Sequence, residues 1–277
     1  MDEQVIKKNL TQALAGDKDA LGELLNAVQD DVFNLSLRML GNVTDAEDAS
    51  QEIMIRVMTN LASFRQESAF STWVFRIAVN HLHNYRKGMF AHAVFSWEMY
   101  GEDIASGREK GVPDLSEGVD RALLEEELKY ACTNVMLQCF ALEDRAVYIL
   151  GTMFKLDSRA AGEILQMTPE AYRQRLSRLR RRMSEFLQAY CGLSGGVCQC
   201  KQRVDHAIAT HRLTPKRLEY TTLAIKQYTQ AMEKMDELSG VFEKLPLYGI
   251  TDRGRALCAS VLRSPACQPL WTEGEAQ

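Results

Sequence analysis

Proline is scarce in this sequence, six in 277 residues, and few segments alternate apolar and polar side chains with a period of two. The first absence leaves long windows through which a helix can run. The second leaves little from which to build a half-buried sheet. No apolar run is long enough to span a membrane, and the opening MDEQVIKKNL does not have the form of a secretory signal. The expectation is a cytoplasmic chain with no membrane partner. Seven cysteines in that compartment are expected to be reduced or metal-bound, not paired in a disulfide framework. A catalytic carboxylate pair, a nucleophile triad and a phosphate loop are all missing, which weighs against an enzyme such as a zinc-dependent nucleic-acid hydrolase. An overall positive charge is missing too. The formal net charge of −4 excludes a uniformly basic DNA-coating protein.

Charge is nevertheless segregated along the chain. Residues 88–128 hold three Lys/Arg against ten Asp/Glu, whereas residues 129–188 hold ten against six. A local basic surface on an acidic chain fits site-directed nucleic-acid binding. The basic part is concentrated in Met167–Leu187, MTPEAYRQRLSRLRRRMSEFL, with six arginines between Arg173 and Arg182. Thr168 can cap a helix there, and Pro169 suits its first turn. Stepping 100° per residue puts Tyr172, Leu176, Leu179, Met183, Phe186 and Leu187 on one arc. Arg173, Gln174, Ser177, Arg178 and Arg181 fall opposite, flanked by Arg175, Arg180 and Arg182. A solvated, salt-bridged face is the plain alternative, but only Glu170 and Glu185 are at hand to neutralise it.

Just upstream, SRAAGEIL (Ser158–Leu165) reads as a short helix of small residues, and Gln166–Met167 leave a tight turn. Short helix, turn and long basic helix make a helix-turn-helix, whose second helix enters the major groove by its N-terminus. Arginine's planar fork matches the paired acceptors on guanine and also holds phosphates. Arg173, Gln174, Ser177 and Arg178 are assigned to base edges by position, and Arg175, Arg180, Arg181 and Arg182 to phosphates.

The rest of the chain also reads as helix. Residues 2–15 form a first helix stopped by Gly16. Leu21, Leu24, Leu25, Val28, Val32, Leu35 and Met39 step at helical spacing up to Gly41. Asp45–Leu61 follows, with Asp45, Asp48, Glu52 and Ile55 on its outer arc and Gln51 at the edge. That arc is either a plain solvated face or a docking face for a basic protein. After a polar break at Ser63–Ser71, the helix Thr72–Lys87 places Arg76, Asn80, His83 and Lys87 on one face beside Trp73. Cations, amides and aromatics together suit unstacked bases, although core packing is the simpler reading of Trp73. His81 and His83 have no ligand set around them.

The run DAEDASQEIMIRVMTNLASFRQESAFSTWVFRIAVNHLHNYRKG resembles the conserved helical domain of bacterial extracytoplasmic-function (ECF) sigma factors. The likeness is carried by Ala46-Glu47-Asp48, Gln51-Glu52, Phe64-Arg65, Phe70-Ser71-Thr72-Trp73, Arg76-Ile77-Ala78 and Asn80. The helix-turn-helix at 158–187 is similar to the family's second domain, and the two together span about Leu10–Leu187. Beyond the family pattern the residues read as a helical, Cys-containing extension at 191–277, so the whole chain is expected to be all-α. The resemblance implies sigma domain 2 at 1–88, an acidic linker at 89–120 and sigma domain 4 at 121–190. It also implies that Asp45, Asp48, Gln51 and Glu52 lie on the helix that grips the β′ clamp helices of core RNA polymerase, with the β subunit as a further contact. Phe64–Ser71 and Thr72–Lys87 would capture a flipped base and melt the minus-ten element of promoter DNA, while the helix 169–187 reads the minus-thirty-five element. An anti-sigma factor is a further candidate partner. The chain departs from the family pattern at Ala141-Leu142, where "LP" is common, and at Gln166-Met167 in the turn. Those departures bear on promoter preference and not on the fold.

In the linker, Phe90, Phe95, Trp97 and Tyr100 exceed what a tether needs, so part of it is expected to pack. Arg121–Phe140 and Glu143–Phe154 should complete the second domain, with Cys132 and Cys139 in its core. Beyond Leu187, Cys191, Cys198 and Cys200 occupy a Gly-rich turn. Such thiolates suit zinc or copper(I), with His206, His211, Cys258 or Cys267 as a fourth ligand; packed structural thiols and a redox-sensing pair are the alternatives. Helices are expected at Gln202–His211, Lys216–Glu243 and Asp252–Arg263, a tail that minimal family members lack and that is placed to regulate. The functional expectation is a dissociable, non-catalytic promoter-specificity subunit. The rival is a free-standing helix-turn-helix regulator, which leaves the acidic helix at 45–61 without a role.

Overall fold

The computed structural model describes residues 2–89, 96–106, 113–222 and 247–262, and the side chains of 86–89, 257, 258, 261 and 262 lie outside that description. Among the described residues every regular element is helical, as the sequence predicts. Helix α1 (Glu3–Leu14) starts where the Asp2 carboxylate accepts from the Gln4 amide, and the chain turns at Gly16, φ 98°. Helix α2 (Lys18–Leu40) is capped by Asp17 and closed by Gly41, φ 88°, a left-handed stop that glycine adopts without steric cost. Nearly every residue from Leu21 to Met39 apart from Gly22 and Glu23, Asn26 and Ala27, and Asp31 is buried, so α2 is surrounded on most sides. Helix α3 (Val43–Thr59) begins two residues before its expected start, because Asn42 accepts from the Asp45 amide at 2.8 Å. Helix α4 (Phe70–Met89) follows the break at 60–69.

The linker is not a bare tether. Trp97–Ser106 forms helix α5, and its aromatics pack as expected. Trp97 meets Phe140 and Phe186 edge-on at 4.9 and 5.0 Å, and Tyr100 stacks on Phe186 at 6.0 Å. Gly101 lies so close under the Tyr190 ring that a Cβ there would come within 2.5 Å of it. Helix α6 (Arg121–Gln138) and helix α7 (Leu142–Tyr148) come next. The latter widens into a π-turn at Ile149–Met153, where one continuous helix was expected. Helices α8 (Ser158–Leu165) and α9 (Pro169–Tyr190) form the helix-turn-helix.

Helix α10 (Cys200–Ala209) packs on α6 through a small cluster of Leu124, Leu128, Val204, Ala207 and Leu213. Helix α11 (Asp252–Leu262) lies against α3. The long helix expected from Lys216 does not begin there, since residues 216–222 are not helical; the remainder of that expectation, 223–243, falls outside the described residues.

The expected domains 1–88 and 121–190 do not keep separate cores. One apolar cluster runs through α1–α9, and Phe75 of α4 meets Phe154 at 4.9 Å across the boundary. Two arginines are buried beside that seam. Arg145, 2% exposed, donates to the carbonyls of Leu137, Gln138 and Phe140, to the Gln138 side chain and, across the seam, to the Met39 carbonyl. Arg38, 1% exposed, donates to Asn134 at 2.9 Å.

Candidate nucleic-acid interface

The geometry of the helix-turn-helix follows from a few local devices. Asp157 accepts from the Arg159 and Ala160 amides at 2.8 and 3.0 Å, which fixes the start of α8 and holds the Asp157 carboxyl below its ordinary pKa. Gln166 takes the left-handed conformation, φ 55°, and lets the Met167 amide reach the Gly162 carbonyl at 2.9 Å. A Cβ on Gly162 would sit 2.7 Å from the Met167 carbonyl, so the tight turn requires glycine there. Thr168 then caps α9 by accepting from the Ala171 amide at 3.2 Å. Tyr172, Leu179, Met183, Phe186 and Leu187 are buried, the arc predicted from periodicity apart from the half-buried Leu176.

The opposite face is open. Arg173, Gln174, Ser177, Arg178, Arg181 and Arg182 are all exposed. Their internal contacts are light: Arg173 donates to Ser158 at 3.0 Å, Gln174 to Glu170 at 3.4 Å, and Arg181 stands 4.0 Å from Glu185. Arg182 lies over the Trp97 ring at 5.6 Å and 3.9 Å from Glu98. Arg175 and Arg180, expected among the phosphate contacts, are instead turned inward. Arg175 is half-buried and donates to Asp144 at 2.6 Å, and Arg180 donates to the Gly151 carbonyl at 3.0 Å and to Thr152 at 3.2 Å. Arg175 satisfies a group in the first turn of α7 and Arg180 groups in the π-turn, so they hold the reading helix to its scaffold.

On α4, Asn80 is exposed and His83 half-buried, while the Lys87 side chain lies outside the described residues. Arg76 shares their face and stands 3.6 Å from Glu163 on α8. Trp73 is buried, 6% exposed, in an aromatic knot with Phe64 and Phe70 at 5.3 and 5.9 Å, which is the core reading of that residue. The loop ahead of α4 borders a cavity of about 350 Å³ lined by Phe64, Gln66, Ser68, Ala69 and Phe70 together with α1. A second hollow of about 300 Å³ collects Arg56, Asn60, Asn80 and Asn84 around Trp73. Both offer aromatic edges and amides, the groups that an unstacked base uses.

Next to them is the acidic arc of α3. Glu52 is exposed, and Asp45, Asp48 and Gln51 are half-exposed. Asp45 also accepts from the Asn42 amide side chain at 2.6 Å, so it has a capping role besides any external one. Tyr85 and His81 of α4 lie beside this arc. Burial, then Asp45, Asp48 and Glu52 in turn, push the Tyr85 phenol above its usual pKa. Desolvation lowers the His81 pKa although Glu52 stands 3.5 Å away.

The family description "Sigma-70 region 2" matches residues 24–88, which hold most of α2, α3 and the described part of α4. An ECF RNA polymerase sigma-E factor of Haemophilus influenzae is 40% identical over 161 residues, covering 53% of this chain and 85% of that protein. The chain belongs to the ECF RNA polymerase sigma factors. It is a protein of transcription initiation, and sigma factors are not themselves enzymes. SigW of Bacillus subtilis is 45% identical over 78 residues, 28% of this chain, and there the match spans less than half of the relative, 42%. The RNA polymerase sigma-H factor of Pseudomonas aeruginosa is 26% identical over 188 residues, 68% of this chain and 94% of its own length. A solved structure of CnrH in complex with the cytosolic domain of CnrY aligns with a TM-score of 0.49 at 21% identity, over 67% of this chain and 98% of that one.

In this sigma factor the thiols after the reading helix are gathered differently from a simple ligand turn. Cys191 caps α9 through its amide to Leu187 at 2.8 Å, and the Cys198 amide returns to the Tyr190 carbonyl at 2.9 Å. Cys198 and Cys200 hydrogen-bond to each other, and Arg203 approaches Cys198. The Cys200 thiol and the Arg203 guanidinium bring the Cys198 pKa down to about 6, while Cys200 is driven up. Cys132 of α6 belongs to the same neighbourhood, with the Tyr100 hydroxyl 2.9 Å from its sulfur. Among the described residues, no three His, Cys, Asp or Glu are grouped so as to hold a metal ion. Of the candidate fourth ligands, His206 faces Asp103 at 3.6 Å and His211 is exposed in a left-handed turn, whereas the Cys258 side chain and Cys267 lie outside the described residues. No helix among the described residues is long and apolar enough to cross a membrane.

Sequence reasoning missed several residues that organise these faces. Arg38, Arg145 and Glu127 look in sequence like ordinary surface charges, yet all three are buried. The only local signal was their position on apolar helical arcs.

Proposed function

We propose that this sigma factor works in the cytoplasm as the dissociable promoter-specificity subunit of RNA polymerase, with its surfaces divided among partners. Asp45, Asp48, Gln51 and Glu52 on α3 dock the β′ clamp helices of core polymerase, and the second unit contacts the β subunit. The loop 64–71 and α4, through Arg76, Asn80, His83 and Lys87, hold the melted minus-ten strand. Arg173, Gln174, Ser177 and Arg178 read the minus-thirty-five duplex, and Arg181 and Arg182 hold its phosphates. The C-terminal extension regulates these encounters.

The observation that carries the reading is the division of charge between two helices. The outer face of α9 keeps six polar or cationic side chains exposed, while α3 keeps an acidic arc beside the cavities of α4. A lone DNA-binding regulator needs only the first of these. The test is capture of core RNA polymerase followed by run-off transcription. Wild-type protein should be captured and should start transcripts at a defined promoter, and Asp48→Arg should lose capture while keeping its helical content. If the isolated protein binds an operator duplex tightly, ignores polymerase and is unaffected by Asp48→Arg, the free-standing regulator is correct instead. Phosphate-dominated binding by the isolated sigma factor should be weak and fall steeply with salt.

A further inference from the structure

The extension sends two backbone segments into the seam between the sigma units, and buried polar side chains of those units receive them. The first segment is the turn at 219–221. Glu127 of α6, 3% exposed, accepts from the amides of Glu219, Tyr220 and Thr221 at 2.6, 3.0 and 2.8 Å and from the Thr221 hydroxyl at 2.9 Å. The Tyr220 hydroxyl then reaches across to the Gly41 carbonyl at the end of α2, 2.9 Å away. Tyr220 is thus tied to the second unit by its backbone and to the first by its ring.

The second segment is Tyr248–Ile250. Asn34 of α2, 1% exposed, donates to the Tyr248 carbonyl at 2.7 Å and accepts from the Tyr248 amide at 2.9 Å, the pairing that a neighbouring strand would make. Asp30 accepts from the Ile250 amide at 2.8 Å. The Tyr248 ring packs edge-on against Tyr130 of α6 at 6.1 Å and lies 5.3 Å from the Arg38 guanidinium, so this residue also touches both units. Helix α11 then settles on α3, where Thr251 hydrogen-bonds Glu47 and Arg253 stands 3.7 Å from Glu47, while Arg255 stands 3.9 Å from Asp30 of α2.

A buried carboxylate that takes three backbone amides makes charge-assisted bonds, and it would be costly to leave unpaired. Glu127 and Asn34 therefore have a reason to be polar inside a core only when the extension is in place. Meanwhile α4 and α8 are in direct contact, with Arg76 3.6 Å from Glu163. Elements named for positions ten and thirty-five are separated by roughly 25 base pairs, on the order of 85 Å at 3.4 Å per pair. Units held in contact cannot occupy both.

We infer that the extension is an internal strap: segments 219–221 and 247–255 lock the two DNA-binding units together, and their release must precede promoter engagement. The consequence for transcription rests on the promoter-subunit reading above, while the strap itself rests on the contacts alone. Opening is a population shift, so weakening the strap should raise the fraction of competent protein and with it the apparent affinity for polymerase and promoter.

The test uses the full chain. Arg253→Glu combined with Arg255→Glu places like charge against Glu47 and Asp30 from side chains that are 65% and 47% exposed, so neither core is disturbed. Glu127→Gln removes the charge and turns one of the two oxygens that accept from the first segment into a donor. Small-angle scattering should show a larger radius of gyration for each variant at unchanged helical content. Run-off transcription at limiting polymerase should rise roughly tenfold. Should Glu127→Gln fail to fold, the charge-reversed pair carries the test alone. Scattering curves that superimpose on wild type in the charge-reversed pair overturn the strap, as does an expanded variant that transcribes no better than an active wild type. Expanded variants in a protein that never captures polymerase leave the strap standing and overturn the promoter reading instead.

Discussion

Arg38 on α2 donates to the side-chain oxygen of Asn134 on α6 at 2.9 Å, and both residues are 1% exposed. Together with the bond from Arg145 to the Met39 carbonyl, this makes part of the boundary between the two units polar. A polar seam and an apolar seam behave differently when they open. Separated apolar faces stay poorly solvated, whereas guanidinium and amide groups regain hydrogen bonds from water. Buried ion-like contacts of this kind add little net stability but penalise the loss of one partner heavily. The seam is therefore suited to units that are compact in one state and apart in another.

Arg145 gives the first prediction. It serves four acceptors within its own unit and one across the seam. Arg145→Leu would leave several buried acceptors unpaired, each costing about 1–3 kcal/mol, so the loss should be roughly 3 kcal/mol or more. Lysine should rescue little, because a point charge cannot reproduce the planar fork. Equilibrium denaturation of the full chain in urea reads the difference. A loss below about 1 kcal/mol would mean that water replaces these bonds at little cost.

The arginines of α9 should separate into two classes. Arg178→Ala should weaken promoter binding by about 1–3 kcal/mol and blur sequence preference, as expected of a base contact. Arg181→Ala should weaken all duplexes alike and flatten the salt dependence by roughly 0.9 in log–log slope, the effect of one lost phosphate contact. Arg175→Ala should leave that slope unchanged and instead lower thermal stability, since its guanidinium is held by Asp144 at 2.6 Å. Titrations at several salt concentrations, made with reconstituted holoenzyme, distinguish the classes. An Arg175→Ala variant with a flattened slope would return that side chain to the DNA face.

Much of this arrangement was legible in sequence, and the illegible part has a common cause. Periodicity places α2 and α9 because their buried arcs repeat at helical spacing, and Thr168 and Gly41 mark ends through local chemistry. The exposed face of α9 followed from the same arithmetic. What periodicity could not give is pairing between distant parts of the chain. Asp144 lies 31 residues from Arg175, and Tyr248 lies 214 from Asn34. An arginine turned inward and one turned to solvent have the same one-letter code. The linker was legible in part: its glycines and acidic residues describe a tether, its aromatics announced packing, and Trp97 and Tyr100 fold ten residues onto α9, a partner that the sequence did not name.

Among the five described thiols, Cys198 should react first. Its pKa is brought down to about 6 by the Cys200 thiol and Arg203, while burial pushes Cys132 and Cys139 up to about 12. Near neutral pH, Cys198 therefore holds more thiolate than the other two. Brief treatment with iodoacetamide at pH 7, followed by peptide mass mapping, should find Cys198 modified well ahead of Cys139. Arg203→Ala should narrow that gap. Equal labelling of the two would show that the 7% exposure of Cys198 limits its chemistry more than its charge state does.

His81 supplies a pH dependence whose sign can be worked out. The ring is 7% exposed, in the groove between α3 and α4, and burial is the largest influence on it. Glu52 at 3.5 Å favours the imidazolium and Arg56 opposes it, but desolvation outweighs the carboxylate and the folded-state pKa falls below 6.5. The unfolded chain therefore binds a proton more readily than the folded one, and stability rises with pH through that window. Above the unfolded pKa both states are neutral and His81 costs nothing. As pH falls from 6.5 through the lowered folded value, the fold progressively loses stability. His81→Gln should remove that component, so the melting temperature of the variant should decline less than that of wild type between pH 7 and about 5, the range in which a histidine ordinarily titrates. If the acidic arc of α3 binds polymerase, the same protonation should also reduce capture in wild type, because an imidazolium beside Glu52 offsets its charge. A wild-type melting curve that is flat over this range, or one that rises toward acid, would show that Glu52 and not burial governs the ring.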